Sequence, residues 1–398
     1  LLVELALVKV LHRRGICPEV AVKEVEAACG QVTTDEVYKE EDRIRHDIRA
    51  LVNCVRAKVS DSAKPFVHMT ATSYDIIDPA NAARYKDAVQ KVLVPSLVKL
   101  ERVLITTALR EAETVQVGRT HGQHAVPITF GFALAGYISR LGGSIEALKS
   151  LAAELPGKFS GAVGAYNASS LFFDDPEGFE AEVLAELGLT PAEHSTQIVP
   201  PEALTRLFCE VTIAAGVLAN LSDDMRNLQR TEIGEVGEEF EAAQVGSSTM
   251  PQKRNPINFE NAKSCWKIVA PRIVTMFMDQ ISEHQRDLTN SASARTYGEI
   301  VAYVVSTAKR LTRTMKKLTV DRANLERNLA IQKGLVIAEP LYIILAAQGH
   351  PDAHEKVRML TLQAQREARP LEEVLVGDAE MKDYLEKMTP YQQQILSN

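Results

Sequence analysis

A chain of 398 residues, 45% apolar and 24% charged, is long enough to bury a sizeable core and to form two or three domains, and this balance excludes a disordered polymer. The formal net charge of −7 argues against non-specific nucleic-acid binding, so a small anionic ligand would have to be met by locally gathered cations. No apolar run reaches the roughly 18 residues of a membrane span and no secretory signal is visible. The five cysteines (Cys17, Cys29, Cys54, Cys209 and Cys265) contain no C-x-x-C pair, so zinc and a disulfide framework are set aside in favour of a reducing cytoplasm.

The first eleven residues read as a core helix entered part-way, and the missing initial methionine suggests residues upstream of Leu1. Residues 40–55 set Ile44, Ile48, Leu51 and Val55 at helical spacing and read as one helix. Arg45, His46 and Asp47 lie away from that stripe. They form either a solvated face or a cation–imidazole–carboxylate cluster facing a cleft. In residues 66–78, F-V-H-M-T-A-T-S-Y-D-I-I-D, Thr72, Ser73 and Asp75 read either as a helix start or as hydroxyl donors to a carboxylate. His68 is open in the same way.

A helical pattern from 85 to about 113 gives way to a polar break, G-R-T-H-G-Q-H at 118–124. Pro127 and a long helix follow, with Leu134, Ile138, Leu141, Ile145 and Leu148 at bundle spacing. His121 in this break is expected beside the positive end of that helix, with a plain turn histidine as the alternative. Residues 158–170 are rich in glycine and serine and read as a turn. Gln197 precedes Pro200 and Pro201 in a helix-start context. Residues 201–230 supply a third long helix through Leu204, Leu207, Val211, Ala215, Leu218 and Leu221, and residues 266–278 belong to a fourth. A dense polar segment from Glu283 to Arg295 precedes a fifth, at 297–318. Beyond Leu325 come shorter helices with Pro340, Pro351, Pro370 and Pro390.

N-G and D-G turns and sustained period-two alternation are absent, as are G-x-G-x-x-G, P-loop and G-x-S-x-G motifs. The expected fold is all-α. A central bundle of five long helices at 91–320 is flanked by two smaller helical domains, at 1–90 and 321–398. Within it, residues 246–261 read G-S-S-T-M-P-Q-K-R-N-P-I-N-F-E-N. Asn255 and Pro256 suggest a helix N-cap and first helical position. Ahead of them lies either an exposed connector or a mobile loop whose N–H groups, Lys253 and Arg254 attract an anion.

The loop at 246–261, the run Thr120-His121-Gly122-Gln123 and the set His68, Thr72 and Ser73 together resemble the fumarase/aspartase superfamily. Its signature has the form S-S-x-M-P-x-K-x-N-P, met from Ser247 to Pro256. Within it, Arg45-His46-Asp47, residues 118–123 and residues 286–291 look most like the adenylosuccinate lyase family. Members of that family release fumarate from adenylosuccinate, giving AMP, and from the succinylated aminoimidazole ribotide of purine synthesis. Such an elimination needs a base for a weakly acidic carbon-bound proton, an acid for the leaving nitrogen, and donors for the dianionic carbanion.

The resemblance implies Ser247 as general base, activated as an alkoxide, and His121 as general acid. It implies Lys253 and Asn255 as stabilisers of the dianion, His46 near the substrate and Glu260 orienting catalytic groups. Thr72 and Ser73 would bind carboxylates. Arg45, Asp47, His68, Gln197, Ser248, Arg254 and Asn261 would hold the substrate, and Arg286, Ser291 and Arg295 its nucleotide portion. No metal and no cofactor are implied. The partners implied are small succinylated nucleotides and further copies of the chain, in a homotetramer whose active sites draw segments from three subunits. Neither nucleic acid nor membrane is among them. The family usually carries an Arg-Tyr pair near its N-terminus that contacts the substrate phosphate, and this sequence starts too late to show it. Argininosuccinate lyase, carboxymuconate cycloisomerase and a non-catalytic structural homologue are the competing readings.

Overall fold

Apolar residues spaced three and four apart need a buried stripe, and the chain meets that need with helices. A computed structural model describes residues 1–240 and 246–397. The helices, in chain order, are α1 (Leu2–Arg13), α2 (Glu19–Gln31), α3 (Thr34–Ile44), α4 (Asp47–Arg56), α5 (Ser73–Asp87) and α6 (Val94–Arg110). After a hairpin of β1 (Val115–Thr120) and β2 (Gln123–Thr129) come α7 (Phe130–Ala153), α8 (Pro176–Ala185), α9 (Glu202–Leu228), α10 (Ile257–Met278) and α11 (Tyr297–Lys316). Six shorter helices complete the order: α12 (Arg322–Ala330), α13 (Ala338–Ala347), α14 (Ala353–Glu367), α15 (Leu371–Gly377), α16 (Ala379–Glu386) and α17 (Pro390–Ser397).

The all-α expectation and its five long helices, α6, α7, α9, α10 and α11, are met. The chain divides into two compact units. The first comprises Leu1–Leu100, Arg140–Ala219 and Asn261–Arg310, and the second Glu101–Ser139, Asn220–Glu260 and Leu311–Asn398. Each division falls inside one of the long helices.

In the first unit, Leu7, Val8, Val25, Val52, Val55, Phe159 and Phe179 form one buried cluster beneath α1, α2 and α4. Tyr85 of α5 meets the Phe208 ring of α9 edge-on at 5.1 Å, and Phe208 meets Tyr297 of α11 at 6.0 Å. Between α5 and α6, residues Ala88–Leu93 adopt π-helical turns. Pro95 explains them, because it has no N–H to return to the Lys91 carbonyl and its ring crowds that group. In the second unit α13, α14 and α15 close on Leu341, Leu345, Val357, Leu360, Leu371 and Leu375.

Three sequence expectations are corrected. Residues 40–55 form two helices, because Arg45 turns left-handed (φ 59°) to end α3 and extended His46 begins α4. The polar break at 118–124 belongs to an antiparallel hairpin, with Thr120 paired to Gln123 around His121 (φ 53°) and Gly122 (φ 73°). Two central residues at positive φ make a type I′ turn, so His-Gly stands here where Asn-Gly is the usual signal. Finally, α9 is long and apolar enough by composition to cross a membrane, with 61% of its apolar window buried within the fold.

Gly131, at the start of α7, packs directly on the end of α6, its N–H donating to the Glu111 carbonyl at 3.0 Å. A Cβ there would overlap the Ala108 carbonyl and approach Glu111 O and Ala112 Cα at 2.8 Å. These are backbone atoms, which cannot rotate away. Gly131→Ala should therefore lower stability by about 3 kcal/mol, read as a fall in the midpoint of thermal or urea unfolding.

Candidate active site

The first unit contains a cavity of about 630 Å³. The corner between α3 and α4 supplies Arg45, His46 and Asp47. The start of α5 supplies Ser73, Tyr74 and Asp78, the segment before α9 supplies Gln197, and the segment before α11 supplies Ser291 and Arg295. Seven residues singled out from the sequence are thus brought together around one space. The corner exists because the His46 ring caps α4, Nδ1 accepting the Arg49 N–H at 3.3 Å. Thr72 opens α5, its N–H donating to Asp75 at 2.9 Å, which leaves Ser73 at the lining.

That helix start is pinned from below. Asp75 and Lys158 are both wholly buried and paired, and the ammonium also donates to the Gly161 carbonyl at 3.1 Å. Tyr74 and Asp78 of α5 also line the cavity and were not singled out from the sequence. Tyr74 lies under Arg286, whose guanidinium sits 3.8 Å from the ring centroid and donates to the phenol oxygen. Arg286 itself backs Tyr74 and is not among the lining residues, and its Nε is buried without a partner. Asp78 accepts the Val199 N–H at 2.8 Å. Burial pushes its carboxyl up to about 6, with Val199 N–H, Lys158 and Arg286 opposing and Asp75 reinforcing the rise. The signal for Asp78 was its place three residues after Asp75, which puts both on one side of α5.

His68 and Asn261 of the same unit are placed elsewhere. His68, left-handed at φ 66°, turns to the buried Glu4, with Nδ1 2.7 Å from Oε1 and its N–H donating to Oε2 at 3.0 Å. Asn261 is exposed on α10 and accepts a long contact from Cys265 Sγ at 3.8 Å.

The second unit holds the remaining predicted residues. Ser247 Oγ accepts two backbone N–H groups, from Met250 at 3.1 Å and Thr249 at 3.4 Å, while Ser248 is exposed. Lys253 N–H donates to the Met250 carbonyl at 3.0 Å, and Asn255 Nδ2 to the Gly246 carbonyl at 3.0 Å. A Cβ on Gly246 would run into the Lys253 carbonyl, so only glycine closes this ring. Arg254 stacks 5.4 Å from the Phe240 centroid.

Helix α10 starts at Ile257, so Pro256 is its N-cap and Asn255 lies outside the helix, which corrects the sequence expectation. The capping carboxylate is Glu238, accepting Asn258 N–H at 2.9 Å and Phe259 N–H at 3.0 Å. Glu260 is exposed on the first turn. His121 is exposed at the hairpin tip. The 7 residues of β2, about 3.3 Å each, separate it from α7, so it does not lie beside that helix end as expected. Among the described residues no group of three or more His, Cys, Asp or Glu is arranged to hold a metal ion.

Five long helices, with an S-S-x-M-P-x-K-x-N-P loop leading into the fourth of them, define a lyase of the fumarase/aspartase kind. The chain matches the family model described as lyase over residues 3–270 and that described as adenylosuccinate lyase C-terminal over residues 282–393. It is 36% identical to adenylosuccinate lyase of Pyrococcus abyssi, covering 96% of this chain and 85% of that one. With adenylosuccinate lyase of Methanocaldococcus jannaschii the identity is 34%, covering 97% and 84%. Among solved structures, the 3-carboxy-cis,cis-muconate lactonizing enzyme of Pseudomonas putida superposes with a TM-score of 0.86 at 29% identity, covering 99% of this chain and 88% of that one. The chain belongs to the adenylosuccinate lyase family.

Asp78 supplies a test of this electrostatic picture. A carboxyl whose folded-state pKa exceeds its unfolded value of about 3.9 holds its proton more tightly in the native chain. Its stabilising contribution is full below pH about 4 and is lost as pH rises through about 6. Relative to Asp78→Asn, wild-type unfolding free energy should fall by about 2 kcal/mol between pH 4 and 7, measured by urea denaturation. Parallel pH profiles would contradict the assignment.

Proposed function

We propose that this chain is an adenylosuccinate lyase, releasing fumarate from adenylosuccinate to give AMP and from the succinylated aminoimidazole carboxamide ribotide of purine synthesis. The reading is carried by the signature loop at 247–256, in a chain 34–36% identical to adenylosuccinate lyases over nearly its whole length. The arginines and hydroxyls around the first unit's cavity suit a substrate bearing phosphate and carboxylates.

In the proposed mechanism, Ser247 as alkoxide takes the proton from the carbon beside a succinyl carboxylate. Two loop N–H groups on its oxygen favour the anionic form, which supports Ser247 rather than Ser248 as the base. The resulting carbanion shares its charge with the carboxylate, where Lys253 and Asn255 stabilise it. The C–N bond then breaks and its electron pair stays on nitrogen. His121 donates a proton there, leaving serine protonated and fumarate free. His46 and Glu260 support the acid and orient the groups. Ser73, Gln197, Ser291 and Arg295 hold the substrate, with Arg286 acting through Tyr74.

The contributing segments meet, in this proposal, across subunits of a cytoplasmic homotetramer. Exposed apolar side chains on α9 and α10, Ile213 at 55%, Val274 at 54% and Met278 at 69%, support such an assembly. Analytical ultracentrifugation reads it, and a monomer at micromolar concentration would refute it.

The purified chain should release fumarate from adenylosuccinate and leave argininosuccinate untouched. Turnover of argininosuccinate alone would overturn the assignment. Ser247→Ala should lower kcat by about a thousandfold with assembly intact, and Ser248→Ala far less. His121→Gln should remove the limb of the pH–rate profile that reports a protonated acid.

A further inference from the structure

Glu235 is wholly buried, and its carboxylate is surrounded by donors from two elements. From β1, Gln116 Nε2 donates at 2.7 Å, and the Arg119 guanidinium grips both oxygens in a fork. From α12, Asn328 Nδ2 donates at 2.8 Å. Gln116 and Asn328 are themselves buried, at 3% and 2% exposure. The backbone of Glu235 is tied as well: its N–H donates to the Leu228 carbonyl at the end of α9, and its carbonyl accepts the Asp321 N–H at the start of α12.

In a regular strand, residues three apart face opposite sides, so Gln116 and Arg119 would not approach one carboxylate together. The hairpin breaks that rule. Val117 pairs with Pro127 and Arg119 with His124, which leaves Gly118 alone opposite two residues of β2. Such a bulge adds local twist and re-aims side chains. Gly118 permits it, since a Cβ there would lie 2.7 Å from the Val126 carbonyl. Both donors then converge on Glu235, and Arg119 is held two residues before His121. The nearby His124 ring has its Nδ1 buried without a partner, and burial and then the Arg119 charge lower its pKa against the opposing effect of Glu235.

We propose that Glu235 is a positioning residue for His121. Through Gln116 and Arg119 it anchors the strand whose exposed turn presents the imidazole, converting a mobile hairpin tip into a fixed proton donor. The inference rests on His121 as the acid of the proposed reaction. Reactions of this kind lose rate steeply when a reacting group is misplaced by about 1 Å.

The test uses the full chain with Glu235→Gln, which keeps the shape but turns an acceptor into a donor facing Arg119, together with Arg119→Lys, which keeps the charge and loses the fork. Both should lower kcat for adenylosuccinate at least tenfold while KM changes less than threefold. Deuterium exchange of the peptide spanning 115–129 should accelerate in both, and the NMR titration of His121 should broaden or move. If Glu235→Gln does not fold, Arg119→Lys decides on the same readouts. Unchanged hairpin exchange, or a kcat within twofold of wild type in a folded variant, overturns the proposal. Exchange and titration need no substrate, so failure of the substrate assignment is distinguishable: wild-type protein would then be inactive on adenylosuccinate while the hairpin still loosened.

Discussion

A carboxylate removed from water must be surrounded by donors, since an unpaired buried charge costs several kcal/mol. This constraint recurs beneath the segments that present the predicted site residues. Glu4 holds His68 by ring and backbone, and Asp75 holds the start of α5 through Lys158 and the Thr72 N–H. Glu180 takes the Phe159 N–H and the Tyr166 hydroxyl beneath the glycine-rich turn, and Glu238 heads α10 just after the signature loop. Exposed pairs such as Lys23 with Glu19 do little by comparison, because water already solvates both partners. The buried carboxylates set geometry, since each has one arrangement of donors that satisfies it.

What was legible in the sequence divides along the same physical line. The long helices follow from local apolar spacing, and the signature loop from ten consecutive residues, so both could be read directly. The corner at Arg45 and His46 could not, because a left-handed conformation is uncommon for a residue other than glycine and nothing in the local spacing signals it. The hairpin escaped notice because its tip is His-Gly and not the Asn-Gly or Asp-Gly that signals a type I′ turn. Glu235 and Glu238 sit in the run T-E-I-G-E-V-G-E-E-F, whose four acidic residues carry no local signal of burial. Their burial depends on Arg119, Asn328 and α10, all distant in sequence.

The two units carry different kinds of chemistry. In the first, Arg45, Arg84 and Arg295 share the cavity with Glu41, Asp47, Asp78 and Asp279, so it is polar without being uniformly positive. Asp279 is occupied by the Ser293 and Tyr297 hydroxyls, and the elevated Asp78 sheds its charge more readily than an ordinary carboxylate. Both facts ease the approach of an anion in a chain of net charge −7. The second unit holds the serine and the histidine on backbone turns whose internal hydrogen bonds fix their shape.

The ring closed by Asn255 on Gly246 has a thermodynamic consequence. Ordering ten free loop residues would forfeit about 1–2 kcal/mol of backbone entropy each, enough to erase most of a ligand's affinity. Here the Gly246 carbonyl, the Ser247 hydroxyl and the Met250 carbonyl already hold the loop in one shape. A loop already held in this way has less backbone entropy left to lose when a ligand orders it.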